Sequence, residues 1–284
     1  MNCRRRADAI CRIQALIQFV AGACLSIVVL SQPATGQENA AADDAKERDA
    51  VYEFCLKSAR EYEVRVSQER VLKLRPESVL SWTNPVRRSK HGHVFVWHDD
   101  QRPLAIACIY LDTLRGWRHE FQSLTPDPIA ARRSTQAVWL TQEPGLQWKP
   151  LDVEEAPADT EARRLIQMRA IARRFDARIG TTQIEALRLM AQPLYRYAKG
   201  QPEILDGAIF SFAQGTNPEI LLLLEVATTN GKSSWRHALA RMTGSQGEVR
   251  YNKNVIWRME SGGVGQPNRA YYNHYVGPVP GSPD

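Results

Sequence analysis

Cysteine is nearly missing from this 284-residue chain once its first 36 residues are set aside: Cys3, Cys11 and Cys24 lie in that segment, and only Cys55 and Cys108 beyond it. Two cysteines build no disulfide framework. They leave one Cys55–Cys108 bridge or two buried thiols as the alternatives. Net charge is scarce as well. The formal +6 falls to +3 without Arg4, Arg5, Arg6, Arg12 and Asp8, because 33 basic and 30 acidic residues remain. So small an excess over so long a chain excludes the clustered footprint that a nucleic-acid partner needs. A phosphate loop is also lacking: Gly231-Lys232-Ser233 follows an apolar run, but Val226 stands where such a loop has its first glycine. Asn230-Gly231 is instead a hairpin-turn pair. No motif calls for a cofactor.

Apolar runs of membrane length are confined to the N-terminus, so the mature chain is expected to have no transmembrane segment. There the four arginines precede an apolar stretch over residues 13–30, followed by small residues at Ala34 and Gly36. This pattern predicts an export signal, 1–36, cleaved after Gly36, and hence a periplasmic or secreted protein. An N-terminal membrane anchor is the alternative. Ala21-Gly22-Ala23-Cys24 faintly resembles a lipoprotein box, but the apolar run continues past the cysteine.

What is present is a globular composition, 43% hydrophobic, and a strong ββ signal at 205–225, LDGAIFSFAQGTNPEILLLLE. Two strand-rich runs flank Gln214-Gly215-Thr216-Asn217-Pro218, the residue types with which a chain reverses. Burying five consecutive branched residues stabilises by roughly 1.5–3 kcal/mol each, so the second strand is expected to be covered on both faces. Upstream, Val51, Cys55, Ala59, Tyr62 and Val66 predict a helix. Leu165, Met168, Ala172, Phe175 and Ile179 predict another, with Gly180 as its C-cap. Arg163, Arg164, Arg169, Arg173, Arg174 and Arg178 flank the apolar side of this second helix and read as a solvated surface.

The chain also repeats itself. At an offset of 115, Trp82, Gly92, Phe95 and Pro103 fall on Tyr197, Gly207, Phe210 and Pro218; at 118, Trp117-Arg118-His119 falls on Trp235-Arg236-His237, and Trp139 on Trp257. The expected fold is therefore α+β. It has two tandem repeats, 37–140 and 160–258, each a helix packed on a 4–5-stranded antiparallel sheet, related by a pseudo-twofold. A Pro- and acid-rich linker, 141–159, joins them, and a Gly/Pro/Tyr-rich tail, 259–284, favours no packed element, with docking through its tyrosines as the alternative.

Histidine carries the candidate chemistry. His91, His93 and His98 crowd one stretch and are weighed as metal ligands, with Asp99 and Asp100 better explained as turn residues. His119 and His237, both retained in the repeat, are weighed as an acid-base pair, although no carboxylate is duplicated beside them.

The 205–225 hairpin, with Trp82-Thr83-Asn84-Pro85-Val86-Arg87 and Gln192-Pro193-Leu194-Tyr195-Arg196-Tyr197, resembles a family of uncharacterised exported proteins of planctomycete bacteria over roughly residues 70–258. The resemblance implies compartment and architecture and transfers no site. From the residues themselves, the expected function is a non-enzymatic scaffold or binding module that uses the surface or groove between the repeats, its partner left open between a protein and a small apolar ligand. The alternatives are a hydrolase-like enzyme using His93, His119 and His237, and a carrier of a small apolar ligand in a cavity lined by Phe95, Trp97, Phe210 and Phe212.

Overall fold

The structure, a computed structural model, describes residues 35–84, 89–197 and 203–277. Residues 1–34, which hold most of the expected export signal, lie outside the described residues. None of the described helices is long and apolar enough to cross a membrane. The chain divides into two units, 1–42 and 43–284, and every described strand belongs to the second.

Helix α1 (Thr35–Arg60) leads into β1 (Tyr62–Val66), β2 (Arg70–Val71), β3 (Lys73–Leu74), β4 (Leu80–Asn84), β5 (Ser89–Asp99), β6 (Arg102–Asp112), β7 (Gly116–Ser123), β8 (Ile129–Arg133) and β9 (Gln136–Leu140). The short β10 (Lys149–Pro150) and α2 (Glu161–Ala172) follow. Then come β11 (Phe175–Ile179), β12 (Glu185–Leu189), β13 (Tyr195–Tyr197), β14 (Ile204–Gln214), β15 (Asn217–Thr229), β16 (Lys232–Arg241), β17 (Gly247–Tyr251), β18 (Asn254–Met259) and β19 (Tyr271–Tyr275).

These strands form three antiparallel sheets: β2-β1-β8-β9; β19-β7-β6-β5-β3 with β4 beside β5; and β10-β16-β15-β14-β12-β11-β17-β18 with β13 beside β14. The eight-strand path of the last curls into a half-barrel. The fold is thus mostly β. The expected α+β fold of two helix-on-sheet repeats is overturned, because each expected helix stops early and the chain continues as a strand. Tyr62–Val66 and Phe175–Ile179 are strands that bury every second residue. Gly180, the expected helix cap, follows a strand at φ +113° and donates its N–H to Gln246 O. Residues four apart share a face in a helix and in a strand alike, so Tyr62 and Val66, or Phe175 and Ile179, satisfy either period. Val64 and Ala177, buried midway between them, carry the strand signal.

What recurs at the sequence offset is the register of strand pairs. His93↔Ile109 through Asp99↔Arg102 is matched, 115 residues on, by Ala208↔Leu224 through Gln214↔Asn217, with the ladder irregular after Trp97 and after Phe212 alike. Gly92 and Gly207 are fixed by the same contact. A Cβ on Gly92 would lie 2.2 Å from the Trp82 ring, and one on Gly207 would lie 2.4 Å from the Tyr197 ring.

The apolar alternation of the long strands builds three cores. In β6, Ala105, Ala107 and Ile109 face a core with Val51, Cys55 and Ala59 of α1, while Ile106 and Cys108 face the opposite way. In β15, Ile220, Leu222 and Leu224 face Met168 and Ile171 of α2, while Leu221 and Leu223 meet Val94, Val96 and Ile106 in a core between the two large sheets. The five-residue apolar run is buried on both faces.

Candidate binding cleft

The half-barrel ends at β18 on one side and, past the short β10, at β16 on the other, which leaves a seam between β16 and β18. The linker pairs with β16 over a short stretch, Lys149↔His237 and Pro150↔Arg236 with Leu151 N–H donating to Trp235 O (3.0 Å), and leaves the rest of this edge of β16 unpaired by the linker. A cleft of about 930 Å³ remains. One wall is His237, Leu239 and Arg241 of β16, which share a face by alternation; the other is Ile256, Trp257 and Met259 of β18; Trp148 and Tyr271 also line it. The volume falls within the range of ligand sites, and the lining mixes aromatic and aliphatic groups with a few polar ones.

Arg241 is braced. Its Nε and Nη2 donate to the carbonyls of Thr243 (2.7 Å) and Ser245 (2.9 Å), its Nη1 donates to Glu260 O (2.7 Å), and it stacks over the Tyr271 ring. Burial lowers its pKa, with Arg269 adding to the effect against the opposing pull of Tyr271. His237 Nδ1 is buried without a partner. Burial first, and the Lys149 charge second, hold this imidazole below its usual pKa and so neutral near pH 7.

The equivalent seam of the other sheets, between β7 and β9, is filled by the chain itself. Residues 267–276 bond β9 through Leu140 N→Pro267 O (2.8 Å) and Trp139 Nε1→Arg269 O (2.8 Å). The same segment pairs with β7 from Tyr271↔Gln122 to Tyr275↔Arg118. Tyr272 enters the apolar core there. The tail expected to form no packed element therefore contains a docked strand. Trp257 is the counterpart of Trp139 at the 118 offset: Trp139 is enclosed under the tail, whereas Trp257 is half-buried and lines the open cleft.

The histidines do not converge. His93, Ile109, His119 and His274 form one cross-strand row over β5, β6, β7 and β19, which sets His93 and His119 about 10 Å apart at ordinary strand spacing. His119 is wholly buried, with Nδ1 2.7 Å from Tyr62 Oη. His237 packs against Phe175 in the other core. As an acid-base pair, His119 and His237 share no pocket among the described residues. His98 is buried at the β5–β6 turn, where Nδ1 accepts from Gln101 N (3.3 Å). Burial, with Lys73 nearby, lowers its pKa.

His93 Nδ1 lies 3.0 Å from Ser81 Oγ, but its Nε2 is buried without a partner. Burial, then His91, pull its pKa down to about 4. A serine beside an imidazole whose far nitrogen is held by no third group is not an oriented nucleophile–base pair. His91 instead meets Asp44 and Glu47 of α1, the ligand atoms of all three lying within 4.8 Å of one another. Asp44 and Glu47 escape a sequence reading of the site. Their signal is a pair of acids one helical turn apart in a stretch that looks merely polar.

Three further expectations change. Phe95, Trp97, Phe210 and Phe212 fill the cores at 0–1% exposure, away from the β16–β18 cleft. Cys55 and Cys108 are free thiols on opposite sides of β6: Cys55 Sγ donates to Ile109 O (3.5 Å), and Cys108 Sγ accepts from Trp82 Nε1 (3.1 Å). The bridge is therefore not made. Arg164, expected at a solvated surface, is buried, and its Nε donates to Asp206 (2.9 Å). Asn230 and Gly231 are both at positive φ (51° and 75°), as a two-residue hairpin turn requires. Comparison with protein-family models, with curated proteins and with solved structures finds no match to this chain.

Proposed function

We propose that the protein is a non-catalytic binding module, exported by its N-terminal segment, which takes an extended polypeptide segment of a partner into the seam between β16 and β18. One observation carries this reading: residues 267–276 already occupy the equivalent seam between β7 and β9, bonding β9 through a turn at 267–270 and β7 through the strand Tyr271–Tyr275, with Tyr272 turned into the core. Adding a strand to a sheet edge gives affinity through main-chain hydrogen bonds and specificity through alternate side-chain pockets. The cleft has both parts, an edge at β16 beyond the two residues of β10 and an apolar wall of Leu239, Ile256 and Met259. A partner carbonyl placed over Trp257 Nε1 would repeat what Arg269 O does for Trp139.

The experiment is a fluorescence titration of the full chain with a synthetic peptide of residues 267–276, Pro-Asn-Arg-Ala-Tyr-Tyr-Asn-His-Tyr-Val, and with a panel of extended aromatic-containing decapeptides. Saturable binding that Leu239→Arg or Trp257→Ala weakens by about tenfold or more, as for a buried anchor, supports the reading. Binding of none of the peptides, or binding indifferent to both substitutions, sinks it. Uptake of a small apolar dye in the cleft without any peptide would favour the apolar-ligand carrier in its place.

A further inference from the structure

We infer that Asp44, Glu47 and His91 form a binding site for a divalent transition metal of the zinc type, clamping α1 to β5. Asp44 and Glu47 stand three residues apart on α1, the spacing that puts two side chains on one helical face. His91 comes from a break in β5: the ladder with β6 skips from Lys90 to His93, and His91 takes φ +48°, outside the regular strand. The break turns its imidazole toward the helix.

Three ligand atoms within 4.8 Å are close to what a metal demands. A tetrahedral ion about 2.1 Å from each donor holds its donors about 3.4 Å apart, so small side-chain rotations complete the shell. The donor set is one imidazole and two carboxylates, and imidazole nitrogen favours a transition metal over magnesium or calcium.

A second observation points to a ligand independently of the acids. His91 Nε2 is a buried nitrogen without a protein partner, and so is Nε2 of His93, which is 2% exposed. His93 borders the same recess of about 340 Å³ as Asp44 and His91. Buried polar nitrogens without partners are uncommon, and these two border a recess that Asp44 also lines, with Arg48 the one basic chain on its wall among the described residues.

The test uses the full chain freed of metal by chelation, then titrated with Zn(II) by calorimetry and with Co(II) by visible absorption. One equivalent taken up, with cobalt d–d bands and a raised melting temperature, is expected. His91→Asn keeps a residue that tolerates positive φ, and Asp44→Asn keeps the helix; each should weaken Zn(II) binding by at least about tenfold while leaving the far-UV spectrum of the metal-free chain unchanged. His98→Asn, at the far end of β5, should leave binding as it was. Absence of uptake, uptake unaltered by both substitutions, or loss only in the His98 variant overturns the inference. The cleft takes no part in metal uptake, so failure here would leave the peptide-binding proposal standing, and the reverse.

Discussion

Glu225 is a carboxylate with no exposed surface, held in the core between sheets by three other side chains. Tyr197 Oη donates to it at 2.9 Å, Arg236 through Nε (2.8 Å) and Nη2 (2.6 Å), and Arg102 at 3.4 Å. Such a group is costly to bury and costlier to strip of its partners, since an unpaired buried charge loses about 3–5 kcal/mol. In the repeat alignment its counterpart is Tyr110, a neutral residue bonded to Glu120. Glu225→Ala should therefore lower the urea midpoint by the equivalent of about 3–5 kcal/mol through the stranded arginines. Tyr197→Phe, which removes one donor and leaves the ion pairs, should cost about 1 kcal/mol. Equal costs in the two variants would show that the arginines find water instead. Asp206 is the second buried carboxylate of this kind, between Arg164 and Arg196.

At the scale of elements, β19 is the strand whose docking depends on protons. His274 packs edge-on to His119 and stacks on Tyr272 and Phe121; Tyr62 and Arg133 are the other polar groups facing this pair. Burial, reinforced by Arg133, holds His274 down to about 4; burial, then His274 and Arg133, hold His119 well below the usual imidazole value. Depressed imidazole values mean that the unfolded chain binds more protons than the folded one below pH 6.5. Stability is therefore full above that pH and lost as pH falls toward 4, by about 2 kcal/mol from His274 alone at pH 5. The opening constant from hydrogen exchange along β7 and β19, after division by the intrinsic exchange rate at each pH, should rise between pH 6.5 and 5, and His274→Gln should flatten the rise; an unchanged profile would refute the assignment.

Nothing in the sequence marks Tyr271–Tyr275 as a strand, because a Gly- and Pro-rich surround masks five residues whose only signal is their aromatic content. The hairpin at 205–225 is legible for the opposite reason: apolar runs of aliphatic and aromatic residues around a turn leave one register. The cleft cannot be read from sequence at all. It arises from a seam between strands β16 and β18, and closure is a property of sheet curvature that no local pattern carries. Of the candidate site residues, His91 is visible as part of a histidine-rich stretch, but its carboxylate partners lie 44 and 47 residues into the chain, on another element.

For the 43–284 body as a whole, the decisive layer is the core between the two large sheets. Val94, Val96 and Ile106 from one side and Ile209, Leu221 and Leu223 from the other are all 0–1% exposed. Neither sheet can keep this face dry alone, so the body should melt in a single calorimetric transition whose van't Hoff and calorimetric enthalpies agree. Leu221→Asp places a charge at the centre of that layer and should split the transition in two or abolish it; a wild-type trace with two separate transitions would refute the shared core. Chain order gives the C-terminal strand a further consequence. The bond from Arg118 to Tyr275 spans 157 residues, and β7 meets β19 only when the last stretch of chain arrives. A ribosome delivers the N-terminus first, so the edge of β7 stays bare until β19 has been made, and the first-made sheets are sealed late.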